Sequence, residues 1–376
     1  MSAPTRASTL FDEHGAPVAP SRLGKDGRLR LLTGLRPTGR LHLGNYVGTL
    51  EKDVQLQDDP RYECFFLVAD FHALTTGFER SREVESNIRE TLLDFLAVGI
   101  DPERSTIYLQ SLVPEVAELF LLFSMLVSVS RAQRIPTLKE QVRDLRLESA
   151  SLGLLNYPVL QAADILMVRG EVVPVGEDQL SHIELTREIA RRFNGLYGAV
   201  FPESQGHVGR VATLPGLDGK PKMSKSIGNT VELADDAETV QKKIKRMFVG
   251  EAYARQSPTK QGILEGNPLF IYHELFNDDA AQVDDLKARY TAGQVGDGEI
   301  KSALAAALNR FLDPIRQRRA HFASRPGYLD EVVAEGTSRA RREARDTLEM
   351  ARDAMGMGYF GDARRRVELA VQGGRA

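Results

Sequence analysis

The chain has 376 residues, 42% apolar and 27% charged, with a formal net charge of −3 and a pI of about 6.2. This is length enough for two ordinary domains, and the charge excludes a protein that coats nucleic acid over its whole surface while leaving room for a local basic face. The single cysteine, Cys64, excludes a disulfide framework, a Cys-ligated metal and an iron–sulfur cluster. The longest apolar run, Leu119 to Val129, is too short and too interrupted by Ser124 and Ser128 to span a membrane.

In chain order, residues 1–27 are rich in Ala, Pro, Ser and Gly, which predicts a flexible tail. They have no apolar stretch of the signal-peptide type, so the expected location is cytoplasmic. Leu29, Leu31 and Leu32 predict a first strand. Cys64 to Ala69 is a near-continuous apolar run, as expected of a strand buried on both faces. A helix is predicted over Ser86 to Val98, a third strand over Thr106 to Leu109, and an apolar helix over Glu115 to Val129. A further helix should run from Tyr157 to Val168, with Pro158 in its first turn. Then come a short strand at Val172 to Val175, a helix through Arg191, and a last strand at Val211 to Leu214. Five strands alternating with helices imply an α/β fold with a doubly wound parallel sheet. From about Val231 only helices are expected: Ala237 to Met247, Asn267 to Phe276, Ile300 to Ala323 and Leu329 to Met355. The expected organisation is a tail (1–27), a dinucleotide-type domain (28–216), a mobile loop (217–230) and a helical domain (231–376).

Two stretches carry chemistry. Pro37-Thr38-Gly39-Arg40-Leu41-His42-Leu43-Gly44-Asn45 lies between the first strand and the start of a helix, where α/β sheets commonly hold nucleotides. Gly39 permits a sharp turn, and Gly44 leaves room for a base or ribose. His42 and Asn45 add polar groups where a helix start already favours phosphate. It is not a Walker A loop, because no Gly-Lys-Ser/Thr follows. By itself it is equally compatible with an ordinary strand-to-helix turn. Further on, the Gly/Pro-rich Pro215 to Pro221 leads into Lys222-Met223-Ser224-Lys225-Ser226, a loop suited to closing over a triphosphate. The pair His-Leu-Gly-Asn and Lys-Met-Ser-Lys-Ser resembles the two signatures of class I aminoacyl-tRNA synthetases.

A third segment narrows the resemblance. Tyr157-Pro158-Val159-Leu160-Gln161-Ala162-Ala163-Asp164-Ile165-Leu166 is followed by Val173-Pro174-Val175-Gly176-Glu177-Asp178-Gln179. Asp164 stands among apolar residues, where a carboxylate is costly unless something donates to it. It could be satisfied structurally or serve as an acceptor for a ligand N–H. These runs resemble the bacterial tryptophanyl-tRNA synthetase family over roughly Leu31 to Met355. The resemblance implies a Rossmann-type catalytic domain, a helical anticodon-binding domain, a homodimer, and three partners: L-tryptophan, ATP and tRNA(Trp). It implies Mg²⁺ bound through the phosphates, no protein metal site, and neither membrane nor DNA as a partner. For tryptophan it implies Leu32, His72, Tyr157, Gln161, Asp164, Val173, Val175 and Gln179. For ATP it implies Arg36, Thr38, His42, Gly44, Asn45, Gly176, Asp178, Val211, Lys222, Met223, Ser224 and Lys225. Of these, His42, Asn45, Lys222 and Lys225 act in catalysis.

Some positions depart from the family pattern. Arg36 stands where Gln is common near the amino-acid head group, and Arg is always charged and bulkier. Gln161 takes a pocket-side position that is apolar in some members. His72 matches a family histidine close to substrate and fits equally a satisfied core histidine. The tRNA surface is expected among three basic clusters: Lys242, Lys243, Lys245 and Arg246; Arg316, Arg318 and Arg319; and Arg339, Arg341, Arg342 and Arg345. Each could also be a solvated helix face. The competing readings are a tyrosyl-tRNA synthetase, a more distant adenylyltransferase, and a tryptophan- and ATP-binding paralogue that serves as a partner or regulator.

Overall fold

The computed structural model describes residues 25–144, 149–176, 179–208, 213–254, 257 and 260–359. The expected tail up to residue 24, Asp178 and Val211 lie outside the described residues. Five strands form one sheet in the order β3-β2-β1-β4-β5: β1 Leu29–Leu35, β2 Tyr62–Val68, β3 Thr106–Leu109, β4 Val172–Val175 and β5 Gln205–Val208. β1 pairs in parallel with β4, with Leu31 opposite Val172, and β4 pairs in parallel with β5. The order reverses beside β1, the doubly wound pattern in which ligands bind beyond the carboxyl ends of the strands.

The helices in chain order are α1 Leu43–Asn45, α2 Glu51–Asp58, α3 Asp70–Gly77, α4 Val84–Val98, α5 Glu115–Ser124, α6 Val129–Ala132 and α7 Pro136–Asp144. They continue with α8 Leu152–Met167, α9 Leu180–Tyr197, α10 Ala237–Arg246, α11 Pro268–Phe276, α12 Ala280–Thr291, α13 Asp297–Ala323 and α14 Tyr328–Ala354. Between α1 and α2 the chain makes a π turn, Tyr46–Leu50. Such wide turns commonly mark functional segments.

Three elements differ from expectation for identifiable reasons. Of the strand expected at Val211 to Leu214, the first two residues lie outside the described residues and Thr213 and Leu214 are not in a strand; the fifth strand is Gln205–Val208. It adds only to β4, at the sheet edge, so it needs no continuous apolar run, and Gln205 and His207 are half-buried. Helix α8 starts five residues before Tyr157, because Ser151 caps it by accepting the Leu154 N–H. Pro158 therefore sits in the helix interior. The apolar helix from Glu115 stops at Ser124, and a new turn starts at Val129 under a Ser128 cap.

Two compact units form. The first comprises Met1–Thr33, Tyr108–Val208 and Glu335–Ala376, the second Gly34–Ile107 and Gly209–Ala334. The first unit packs α8 between α5 and α9. Its aromatic centre is Phe123, Phe193 and Phe201, edge to face with ring centroids 4.8–6.4 Å apart. In the second unit α13 packs against α4, α10 and α11, and Phe311 contacts Tyr46 and Phe276 at 5.0 Å each.

Candidate active site

In the second unit the first signature segment is joined by backbone hydrogen bonds to the residues that follow the lysine loop, Val231 to Leu233. The Leu43 N–H donates to Val231 O at 2.9 Å and the Leu233 N–H to Leu41 O at 2.8 Å, around an antiparallel bridge between His42 and Glu232. The His42 N–H donates to Asn45 Oδ1 at 3.0 Å, so Asn45 closes the turn that starts α1. Gly44 is also needed by the protein itself. A Cβ there would lie 2.9 Å from His42 Nδ1 and 3.4 Å from the Met223 side chain, so the glycine makes room for these protein groups. Gly39 has φ +92°, a conformation that other residues rarely adopt.

His42 is buried and its Nδ1 has no hydrogen-bond partner. Burial, with the Lys225 and Lys222 charges adding to it, lowers its pKa to about 4. The imidazole is therefore neutral at pH 7 and meets an anion as a hydrogen-bond donor, not as a cation. Lys225 Nζ donates to Thr38 O at 3.1 Å and to Thr38 Oγ1 at 3.4 Å. Burial lowers its pKa, while Glu232 and Asp94 favour its charged form. Met223 is buried, and its N–H donates to Leu214 O at 2.9 Å. Ser224 N–H donates to Asn229 Oδ1 at 2.7 Å, and Asn229 Nδ2 donates to Asp218 Oδ1 at 2.7 Å and to Lys222 O at 3.2 Å. Asn229, which the motif reading missed, is thus the brace of the lysine loop. Arg36 and Thr38 are exposed, and His72 is buried on α3.

The first unit carries the other set. Tyr157, Gln161 and Asp164 recur at spacings of four and three along α8, so they share one face. Asp164 is 2% exposed. Gln110 Nε2, just past the end of β3, donates to both carboxylate oxygens at 2.8 Å. The Tyr108 hydroxyl is buried without a partner, and burial with the Asp164 charge pushes its pKa well above the usual phenol value. Val173 on β4 and Leu32 on β1 are buried, and Val175 and Gly176 are half-buried.

Tyr157 and Gln179 are brought together by a residue to which the sequence assigned no role. His182 Nδ1–H donates to Gln179 Oε1 at 2.7 Å, which leaves Nε2 as the acceptor for one of two neighbouring hydroxyls, Tyr157 at 3.0 Å or Thr137 at 2.8 Å. Thr137 and Tyr157 are themselves 2.7 Å apart. His182 is 1% exposed. His182 lies three residues after Gln179, on the first turn of α9, inside the run Gln-x-x-His-Ile-Glu-Leu-Thr-Arg that resembles the family, but no role was read for it. Gln110 and Thr137 had no such signal, since each is defined by a partner distant in the chain.

The basic clusters resolve unequally. Arg319 pairs with Asp94 and Glu90, Arg318 donates to Ala97 O, and Arg316 donates to Asp235 O. Arg341 and Arg345 both pair with Glu115, and Lys243 pairs with Asp235. Lys245 and Arg246, at the end of α10, are exposed and make no ion pair among the described residues.

Residues 25–313 match the family of tRNA synthetases class I (W and Y). The chain is 52% identical over 331 residues to the tryptophan–tRNA ligase of Treponema pallidum, covering 88% of this chain and 97% of that one. It is 46% identical over 330 residues to the tryptophan–tRNA ligase of Thermotoga maritima, covering 88% and 99%. The tryptophanyl-tRNA synthetase of Campylobacter jejuni, solved with ADP and tryptophan, superposes with a TM-score of 0.77 at 33% identity, over 87% of this chain and all of that one. The chain belongs to the class I tRNA synthetases of the tryptophan and tyrosine family, as an aminoacyl-tRNA ligase of its tryptophan branch.

Proposed function

We propose that the chain activates L-tryptophan with ATP and transfers it to tRNA(Trp), with each residue set in a defined role. The observation that carries the choice of amino acid is the Asp164 carboxylate, buried on the α8 face and gripped through both oxygens by Gln110. A buried carboxylate held this way is fixed in direction, and an ionised acceptor makes the strong kind of hydrogen bond to a ligand N–H. Leu32, Val173 and Val175 supply apolar walls for an indole ring. Tyr157 and Gln179, tied to His182, face the amino-acid head group, with Gln161 one turn after Tyr157 on α8.

The reaction needs no protein nucleophile. The tryptophan carboxylate oxygen attacks the α-phosphorus of ATP, the bond to the bridging oxygen breaks, and pyrophosphate leaves with the electron pair. The tRNA terminal ribose hydroxyl then attacks the mixed anhydride and AMP leaves. Positioning and charge stabilisation are the protein's contribution. Neutral His42, Thr38, Gly44 and Asn45 receive the adenosine and phosphates together with Arg36, and Gly176 and Asp178 the ribose. Lys222 and Lys225 meet the charge on the departing pyrophosphate, with Met223, Ser224 and Val211 completing the nucleotide contacts. A magnesium carried by the substrate's phosphates is part of this proposal. Mg²⁺ on the phosphate oxygens would neutralise part of the leaving-group charge.

Helices from residue 231 onward are the proposed anticodon-binding part, and residues 217–230 the loop that moves during the reaction. The tRNA phosphates are assigned to Lys245 and Arg246, whose charges no ion pair among the described residues absorbs. No helix among the described residues is long and apolar enough to cross a membrane; a cytoplasmic location is part of the proposal. Exchange of labelled pyrophosphate into ATP, run with each of the twenty amino acids, tests the reading. Exchange should depend on tryptophan, and dependence on tyrosine instead would overturn it.

A further inference from the structure

One cluster in the second unit lies outside the residues assigned so far. Glu90 and Asp94 are one turn apart on α4, so their carboxylates share a face. They hold two successive residues of the first signature loop. Arg40 Nε donates to Glu90 Oε2 at 2.7 Å, and the Leu41 N–H donates to Asp94 Oδ2 at 2.6 Å. Between the two carboxylates stands Arg319 of α13, with NH1 on Asp94 Oδ1 at 3.0 Å and NH2 on Glu90 Oε2 at 2.5 Å. The Asp94 side chain is fully buried and that of Arg319 is 11% exposed.

Two neighbouring carboxylates in such a place repel each other, and the guanidinium fork is what permits both to hold the loop. Burial pushes the Asp94 carboxyl up to about 6. Arg319, the Leu41 N–H and Lys225 hold it down, and Glu90 pushes it up. The same helix is fastened one turn and one residue away, by Arg316 on Asp235 O at 2.7 Å and Arg318 on Ala97 O at 2.6 Å. Leu41 itself is pinned on both sides, its N–H by Asp94 and its carbonyl by the Leu233 N–H. The next residue is His42, and Lys225 grips the same loop at Thr38.

We propose that Asp94, oriented by Arg319, is a positioning residue for adenylation: it fixes the peptide before Leu41, and through it His42 and the Lys225 ammonium, so that the ATP step depends on a side chain of helix α13. This rests on the reading of the loop as the nucleotide set. Neither residue touches substrate. A small misplacement of the loop is sufficient, since displacements of about 1 Å remote from the chemistry can cost roughly 100-fold in rate.

The test is pyrophosphate exchange on wild type, Asp94→Asn, Arg319→Met and Arg319→Lys from pH 5 to 8, with tryptophan binding followed by ligand fluorescence. Asp94→Asn should lower kcat/KM for ATP by roughly 100-fold and leave tryptophan binding unchanged. Wild type should lose kcat/KM for ATP as pH falls through about 6, with protonation of Asp94. That acid limb should vanish in Asp94→Asn and move to higher pH in Arg319→Met, where the carboxylate loses its cation. A purely structural staple would lower the unfolding midpoint and leave the acid limb and the ATP constants of the folded enzyme as in wild type, which overturns the proposal. If Asp94→Asn does not fold, Arg319→Lys decides. One ammonium cannot replace the fork, so its kcat/KM for ATP should fall, and a wild-type value overturns the proposal. Wild type that is itself inactive with tryptophan and ATP would instead remove the nucleotide reading.

Discussion

Asp164 and Lys225 are the residues at which specificity and rate should separate. The indole N–H is the polar feature that distinguishes tryptophan from phenylalanine, and with phenylalanine the Asp164 carboxylate would lose that partner. Sites built to hydrogen-bond a substrate group reject analogues lacking it by roughly 10⁴ to 10⁵. Asp164→Asn keeps the size, and Gln110 can turn to satisfy its amide. It should lower kcat/KM for tryptophan more than for phenylalanine. An unchanged ratio in a mutant with a normal unfolding midpoint would leave Asp164 a structural role alone. Lys225→Ala should act differently. Its ammonium, parked on Thr38, is placed to meet charge that grows on the pyrophosphate in the transition state, so its loss should fall on kcat and spare tryptophan binding. A mutant with wild-type single-turnover adenylation would sink that role. His42 adds a stability effect of definite sign. Its folded pKa of about 4 lies below the ordinary 6.5, so the unfolded chain takes up the proton first. Stability from this group is present above about 6.5 and is lost as pH falls toward 4.

Among the elements, what the sequence made legible was whatever is local. The apolar run in β2, the two signature loops and the long C-terminal helices are written in consecutive residues or in a regular period. β5 was not legible, because an edge strand with one neighbour has no run to show. The start of α8 was obscured by Pro158, which drew the predicted start to itself although the Ser151 cap lies seven residues earlier. The partners of the site residues were hidden for a different reason: Gln110 meets Asp164 and Arg319 meets Asp94 across 54 and 225 positions, and no periodicity encodes such a pairing. A further long-range pairing fastens α14 to β1. Arg30 is 1% exposed, donates to Val168 O at 2.9 Å, and pairs with Glu343 at 2.6 Å. Arg169 stands 3.9 Å from the same carboxylate. Glu343→Ala would leave two cations facing each other with little water, and breaking a buried pair from one side costs about 3–5 kcal/mol. The unfolding midpoint should drop accordingly in denaturant titration. A loss below about 1 kcal/mol, the range of exposed pairs, would mean that the helix is held by its apolar contacts.

At the scale of the whole molecule the charge and apolar patterns separate two surfaces. Arg341 was expected among the tRNA contacts, yet its guanidinium is engaged by Glu115, so reversing it should first weaken the packing of α14. Lys245→Glu with Arg246→Glu should instead raise the KM for tRNA and flatten its salt dependence, while pyrophosphate exchange stays as in wild type. Charging with wild-type tRNA kinetics would place the contact elsewhere. The apolar surface argues for a second copy of the chain. Leu121, Met125 and Val129 are 57%, 66% and 62% exposed, and they follow one another at four-residue spacing from the last turns of α5 into α6. Beside them a concavity is lined by Leu126, Val127, Leu185 and Ile189, with Arg131 and Glu188 paired at 2.8 Å on its rim. A run of large apolar side chains left in water is the usual mark of an interface, and α5 keeps Val116, Leu119 and Phe123 for its own core. A homodimer joined through this face would bury the exposed stripe against its own copy, as a two-fold interface requires. Sedimentation at micromolar concentration should show a species of twice 41.7 kDa, and Leu121→Glu with Met125→Glu should convert it to monomer without lowering the helical circular dichroism. Wild type that sediments only as monomer would end the dimer reading, and a double mutant that remains dimeric would move the interface off α5.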